Sequence, residues 1–229
     1  MTGDHIYPDD PAGPFEPPPR RFEDREGRPI VVREVDGSDG RSLADDREAL
    51  VEMYVAFDPE DRAQGIPPTG ESSIREWLGH ILADEAINVV ACLPDDGVVG
   101  HATLVPDGQG GYELAIFVLG DYQNAGIGTR LIEGLLGAGQ RHGAEHVWLT
   151  VERWNNPAIA LYRKVGFEAS DTENFELEMC LRLDPDAQEE SAADTSADPD
   201  SKAEAETEAE AETEAAESES ESESDSRSR

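Results

Sequence analysis

The chain has 229 residues, 52 of them Asp or Glu against 18 Lys or Arg, for a formal net charge of −34. That balance excludes a protein that grips nucleic-acid phosphates with clustered cations, and it disfavours docking on an anionic membrane. No stretch reaches the ~18 consecutive apolar residues of a spanning helix, and residues 1–20 lack the apolar segment of a secretory signal, so a cytoplasmic location is expected.

Residues 1–28 carry six prolines and few aliphatic side chains, and read as an irregular arm. Residues 29–183 form the expected domain, long enough to bury a core. Residues 30–35 are a short strand-type run. In 45–57 the apolar positions Leu50, Val51, Tyr54 and Val55 recur at helical spacing. Turn chemistry fills 58–70. Ser72 is an N-cap candidate for a helix carrying Ile74, Trp77, Leu78, Ile81 and Leu82. Three strand runs, 88–93, 98–105 and 112–119, are separated by Pro-Asp-Asp-Gly and Pro-Asp-Gly-Gln-Gly-Gly, which predicts an antiparallel meander. Residues 126–142 place Ile127, Leu131, Leu135 and Ala138 on one helical face. A strand at 146–151, a helix at 157–165 with proline in its first turn, and a last strand at 175–183 complete the order. Strand, two helices, three strands, helix, strand, helix, strand predicts an α/β (α+β) domain: a mixed, mostly antiparallel sheet with helices on its faces.

From residue 184 onward the chain is Glu, Asp, Ala, Ser and Thr without aromatics. No core can offset its ordering entropy, so 184–229 reads as an acidic, low-complexity, disordered tail. Within it, 204–217 has the composition of a transient helix opposed by like-charge repulsion. The body is acidic in its own right, and lysine occurs only at Lys164 and Lys202. Such a body suits a halophilic proteome, where salt screens self-repulsion. Cys92 and Cys180 lie in apolar strand-like runs and read as buried thiols.

The most informative segment is 118–128, VLGDYQNAGIG. A strand ends, a glycine-bearing loop follows, and a helix begins. Gln123, Gly126 and Gly128 make the pattern Q-x-x-G-x-G. Glycines allow close backbone approach, and the free N–H groups and dipole of a helix start suit a pyrophosphate. The lysine of a Walker A loop and the third glycine of a dinucleotide fingerprint are missing. Taken alone, such a turn also fits a purely structural role.

A second segment, 155–167, reads NNPAIALYRKVGF. N-x-x-A-x-x-L-Y-x-K-x-G-F downstream of Q-x-x-G-x-G resembles the GNAT superfamily of acyl-CoA-dependent N-acetyltransferases, over residues 29–183. The resemblance implies a sheet splayed between the fourth and fifth predicted strands, 112–119 and 146–151. It implies that Asn124, Ala125, Gly126, Ile127, Gly128 and Thr129, in the loop opened by Gln123, wrap the pyrophosphate of acetyl-CoA as co-substrate. Ile116, Phe117 and Val118 would pair with the pantetheine arm like an added strand, with a backbone N–H near Val118 as oxyanion donor. Asn155 matches the family asparagine near the pantetheine, and Tyr162 the tyrosine near the thioester sulfur. Family members often dimerise, which leaves a homodimer open.

The chemistry follows independently. A primary amine has a pKa near ~10.4 and is protonated at neutral pH, so a base must take its proton before it attacks the thioester. Tyr162 could protonate the departing thiolate; a buried helix-face tyrosine is its structural alternative. Glu113, five residues before Val118, resembles the base of bacterial-type protein-lysine acetyltransferases. The fifth-strand glutamate of relatives that acetylate protein N-termini is replaced by Thr150. Glu152 on the same strand face, or a water chain, are the other readings. His101 reads as a satisfied core histidine, His142 and His146 as loop residues, and Trp77, Trp148 and Trp154 as packing. Arg130 is either a phosphate contact or an exposed helix arginine. The five histidines lack metal-ligand spacing, so no metal is expected. The 58–68 stretch falls where acceptor-contacting loops are expected.

The expected activity is acetyl transfer from acetyl-CoA to an amine, of a small molecule or protein, by direct attack. A non-catalytic acyl-CoA-binding module is the rival, and it would need neither Glu113 nor Tyr162. The acidic, lysine-poor body predicts a melting temperature several degrees higher in molar KCl than in dilute buffer, measured by a thermal scan of the full chain.

Overall fold

The computed structural model describes residues 5–35, 40–58, 62, 66–82, 85–95, 97–170 and 175–187. The unit Glu189–Arg229 lies outside them, and with it the expected tail beyond residue 187 and the 204–217 helix; residues 59–61 and 63–65 of the 58–70 turn do too. In chain order the elements are β1 (Arg20–Glu23), β2 (Pro29–Glu34), α1 (Leu43–Val55), α2 (Glu71–Ile81), β3 (Ile87–Cys92), β4 (Val98–Pro106), β5 (Tyr112–Val118), α3 (Ile127–Arg141), β6 (His146–Glu152), α4 (Asn156–Lys164), β7 (Glu168–Ala169) and β8 (Glu176–Arg182). A 3-10 turn, Gly120–Tyr122, links β5 to α3.

All strands join one sheet in the order β1-β2-β3-β4-β5-β6-β8-β7. Every neighbouring pair is antiparallel except β5–β6, which is parallel. The predicted meander is therefore β3-β4-β5. β3 is buried along its whole length, as befits a strand covered on both faces, with the amide of Asn88 its one polar side chain. On one face α3 packs Ile127, Leu131, Ile132, Leu135 and Leu136 against Val32, Val89 and Leu104, with α4 extending this core through Ile159 and Tyr162. On the other face α1 and α2 pack Leu50, Tyr54, Ile74 and Leu78 against Val90, Cys92 and Val98. Both cysteines are buried and free, as expected.

Three local expectations shift. Val55 is 58% exposed, while Met53 and Phe57 are buried with Leu50 and Tyr54. Positions 50, 53, 54 and 57 fit the i, i+3, i+4, i+7 stripe better than a stripe through Val55. Ser42 caps α1 by accepting from Asp45 N at 3.1 Å, but Ser72 caps nothing: α2 starts at Glu71, behind Gly70 at φ 86°. Trp154 is 65% exposed and does not pack.

The arm over 1–28 is not irregular throughout. β1 pairs with all four of its residues against β2. Upstream, Ala12 N donates to Arg182 O (2.8 Å), and Phe15 N donates to the buried Gln140 side chain (2.9 Å). Glycines in α3 make this docking close. A Cβ at Gly137 would stand 2.7 Å from the backbone of Glu16 and Pro17, and one at Gly134 would stand 2.9 Å from Val32. Helix-interior glycine costs about 1 kcal/mol against alanine in isolation, so its presence marks close approach. Gly137→Ala should instead destabilise the fold, by roughly 1–3 kcal/mol, read as a lowered urea midpoint.

Candidate active site

β5 pairs with β4 along its full length, and β6 with β8 along its full length. Between them only two residue pairs form, Tyr112 with Val147 and Glu113 with Trp148. Beyond that vertex the two parallel strands part, as the predicted splay requires. The gap opens into a cavity of about 650 Å³. Its β5 wall is Glu113, Leu114, Ala115, Ile116, Phe117 and Val118, and its β6 wall is Thr150, Val151 and Glu152. A parting strand leaves backbone donors and acceptors unpaired on its inner edge, ready for an added extended chain.

The loop after β5 sits at the open end. Tyr122 N donates to Leu119 O (2.8 Å) and Gln123 N to Gly120 O (3.1 Å), which turns the chain back. The Gln123 side chain then donates to Val118 O at 3.1 Å, tying loop to strand. Asn124 at φ 58° and Gly126 at φ 91° swing the backbone into α3. The first α3 N–H groups have no intrahelical acceptor, by helix geometry. A Cβ at Gly128 would stand 3.4 Å from Leu161 and 3.9 Å from Ile116. Glycine there lets the helix start close against both walls.

α4 supplies the third side. Asn155 is its N-cap, its Oδ1 accepting from Ala158 N at 3.2 Å. That bond leaves the side-chain NH₂ for a ligand. Tyr162 lines the cavity while 8% exposed, with Phe167 edge-on at 5.8 Å between centroids. Burial pushes its phenol pKa up to about 12.

Of the residues singled out from sequence, Glu113, Ile116, Phe117, Val118, Gln123, Asn124, Gly126, Gly128, Thr129, Asn155 and Tyr162 line this one cavity. Ala125 and Ile127 do not: their side chains are 3% and 0% exposed in the core, so only their backbone can serve a ligand. Glu113 is exposed at the vertex end. The protein around it still raises its carboxyl pKa by desolvation, with His5 opposing and Asp107 adding. Arg130 is paired with Glu133 at 3.0 Å. Sequence reasoning missed Arg25, Phe57 and Lys164, which also line the cavity; Ile66, in the 58–68 stretch expected to contact the acceptor, lines it too. Arg25 was hidden in the proline-rich arm; Phe57 had its place in the helical stripe as the only signal.

Behind the β5 wall, Phe117 meets Tyr54, Phe57 and Trp77 edge-on, at 5.5, 6.0 and 5.8 Å between centroids. His101 completes this packing at 0% exposure, a satisfied core histidine as expected. Its Nε2 lies 3.0 Å from Asn88 Oδ1, which can only accept, so Nε2 carries the proton. Nδ1 then accepts from Tyr54 O–H at 2.6 Å. Burial drives the His101 pKa down to about 3.

Among the described residues, His5, Glu178 and Cys180 form the one group with metal-ligand proximity. It lies outside the cavity lining. His5 pairs with Glu178 at 3.2 Å, and Glu178 also accepts from Ser170 at 2.8 Å. Burial raises the Cys180 pKa to about 12, so without a metal the sulfur is a thiol.

The sequence model described as Acetyltransferase (GNAT) family matches residues 47–167, just over half of the chain. A mycothiol acetyltransferase of Saccharomonospora viridis is 36% identical over 144 residues, 56% of this chain and 44% of that protein. An N-acetyltransferase of Mycobacterium bovis, itself uncharacterised, is 30% identical over 97 residues, 42% of this chain and 62% of that protein. The chain thus spans about half the length of these relatives. The GNAT domain of S. lividans PAT superposes with a TM-score of 0.59 at 17% identity, over 72% of this chain and 96% of that one. A phosphinothricin acetyltransferase from Sinorhizobium meliloti, solved with acetyl-CoA, superposes with a TM-score of 0.54 at 19% identity, over 68% and 89%. At these identities the superpositions speak for the fold.

The protonation of His101 has a stability consequence. Its pKa is 6.5 when unperturbed and about 3 when folded. Between these values the unfolded chain binds this proton and the native chain does not. Stability is therefore fully present above pH 6.5 and is lost as pH falls toward 3, by up to about 1.4 kcal/mol per pH unit. In urea titrations between about pH 7 and pH 5, His101→Gln should show a slope shallower by up to one proton.

Proposed function

The chain belongs to the acetyltransferase (GNAT) family, and from that premise we propose that it moves an acetyl group from acetyl-CoA to a primary amine by direct attack. The observation that carries the reading is the parted β5–β6 pair, with the glycine-led start of α3 at its open end. The pantetheine arm lies along the inner edge of β5 at Ile116, Phe117 and Val118. The pyrophosphate sits on the backbone of residues 124–129, at the positive end of the α3 dipole. The side-chain NH₂ of Asn155 is the donor left for a pantetheine carbonyl.

Glu113 takes the ammonium proton, directly or through water. Desolvation raises its pKa, which makes it a better base than an ordinary glutamate. The amine lone pair attacks the thioester carbonyl, a backbone N–H near Val118 stabilises the oxyanion, and the C–S bond breaks. Tyr162, a phenol up to high pH, protonates the thiolate. No covalent enzyme intermediate is needed.

The acceptor is a primary amine. One relative is named for mycothiol and another, from Escherichia coli, for an alanine of ribosomal protein bS18, so relatives differ in acceptor. The test is thiol release from acetyl-CoA with a panel of amines in high salt. Turnover with at least one amine is expected. CoA binding without turnover across the panel would overturn the enzyme reading in favour of a binding module. With a turned-over amine, Glu113→Gln should lower kcat/KM by about 10²-fold and abolish the acid limb of the pH–rate profile, a limb lying above the ordinary carboxylate range. Tyr162→Phe should lower kcat by a similar ~10²-fold. Unchanged kinetics in either variant removes that residue from the chemistry.

A further inference from the structure

The loop that faces the phosphates is short of charge. Residues 123–129, Gln-Asn-Ala-Gly-Ile-Gly-Thr, contain no cation. The first arginine of α3, Arg130, is bound to Glu133, which is also held by Arg20 at 3.2 Å. Glu113 and Glu152 line the same cavity, and the chain as a whole carries −34. A helix start offers about half a positive charge. A CoA ester brings a pyrophosphate and a ribose 3′-phosphate. The compensating cation must come from outside the loop.

We propose that Arg25, in the β1–β2 turn, is that cation: a phosphate-binding residue of the acyl-CoA site. The proposal rests on the acetyl-CoA reading of the cavity given above. Arg25 lines the cavity, and among the described residues no carboxylate pairs with it. Its backbone N–H donates to Ala125 O and its guanidinium to Asn124 O, both at 3.0 Å. A Cβ on Gly126 would stand 3.9 Å from its Nε. The guanidinium therefore lies against the backbone of the loop itself. A guanidinium has five donors, and the Asn124 bond uses one.

The turn is built to hold that position. Asp24 accepts from Glu26 N and Arg28 N at 2.9 Å each, and from Arg28 Nε at 2.7 Å. Burial raises the Asp24 carboxyl pKa, but these bonds outweigh it and hold the pKa below the usual range. Arg28 reaches across to Asp121 O at 3.0 Å and lies 4.4 Å over the Tyr122 ring. The contacts also orient the loop. In a trans peptide the C=O and the following N–H point opposite ways. Drawing the Asn124 and Ala125 carbonyls toward the turn directs the N–H groups of Ala125 and Gly126 away from it. The guanidinium thus sits on the carbonyl side of the loop and adds beside it the positive charge that residues 123–129 lack.

The test is calorimetric binding of CoA and of 3′-dephospho-CoA to the full chain, as wild type, Arg25→Gln and Arg25→Lys. Arg25→Gln should weaken CoA about tenfold, or 1.4 kcal/mol, with Arg25→Lys recovering part of the loss. The affinity of Arg25→Gln should fall less steeply with added KCl than that of wild type. The acetyl-CoA KM should rise with kcat unchanged. If the Arg25→Gln defect persists with 3′-dephospho-CoA, the partner is the pyrophosphate; if it vanishes, the partner is the 3′-phosphate; each supports the assignment. A defect without altered salt dependence and without lysine rescue is a loosened loop, and overturns it. Wild-type affinity in Arg25→Gln overturns the arginine and leaves the acetyl-CoA reading intact. A wild-type chain that binds no CoA overturns both.

Discussion

The molecule turns on a sheet that opens without coming apart. β5 can release its inner edge because β4 holds its outer edge through seven residue pairs, and β8 does the same for β6. Parallel pairing is the less stable arrangement per residue, so the one parallel joint is where opening costs least. Two pairs at the vertex fix where the gap begins. The unpaired backbone along the cavity is open to an extended partner. A chain-like pantetheine is the partner proposed above. The same opening gives room for the start of α3, whose glycines let it approach both walls.

Electrostatics pull against this site. A chain at −34 repels a polyanion, and its cavity holds two glutamates. Backbone N–H groups and a helix dipole answer that locally, but a dipole is weak against full charges. The sheet's first hairpin matters here. Its turn reaches the loop through Arg25 and Arg28, and its strands are anchored where the arm lies on the glycines of α3. An arm that looks dispensable in composition thereby supplies part of the cavity wall. At high ionic strength the long-range repulsion fades while contact pairs persist, which lets an acidic body coexist with an anionic co-substrate.

The core was legible in the sequence because its periods are strong. The mostly apolar run of β3, the Ile127–Leu131–Leu135 face of α3 and the glycine spacing at 126 and 128 each have one good structural solution. What stayed hidden was non-local. β1 is a short, half-exposed edge strand between prolines, and nothing in Arg-Arg-Phe-Glu outweighs them locally. Its pairing with β2 decides the matter. Arg25 carries no signature of its own either, since a turn arginine acquires meaning only from the loop it meets. Ser72 failed as a cap for the opposite reason. Its type was right, but Gly70 at φ 86° had already set the helix start two residues earlier. The resemblance reads Asn155 as a ligand residue, and the structure gives its oxygen to the helix cap. One side chain both starts α4 and presents a donor, which makes its position rigid.

Tyr162 shows how burial serves the proposed reaction and constrains it. A phenol at about 12 is a weaker acid than a thiol in water at ~8.5, so proton transfer to a solvated thiolate would run uphill. The thiolate, however, would form against the same apolar wall of Leu161, Val151 and Ile116. Desolvation raises its basicity by the same physics that raises the phenol's pKa. The second shift narrows the gap, and the phenol remains an O–H donor through any working pH. The donor is then strongest at the moment charge reaches sulfur and inert before it. Stabilisation of that kind favours the transition state over the bound ester, and it requires that water stay out of the gap. Chemistry and fold therefore make the same demand, that the apolar part of the gap around the sulfur exclude water.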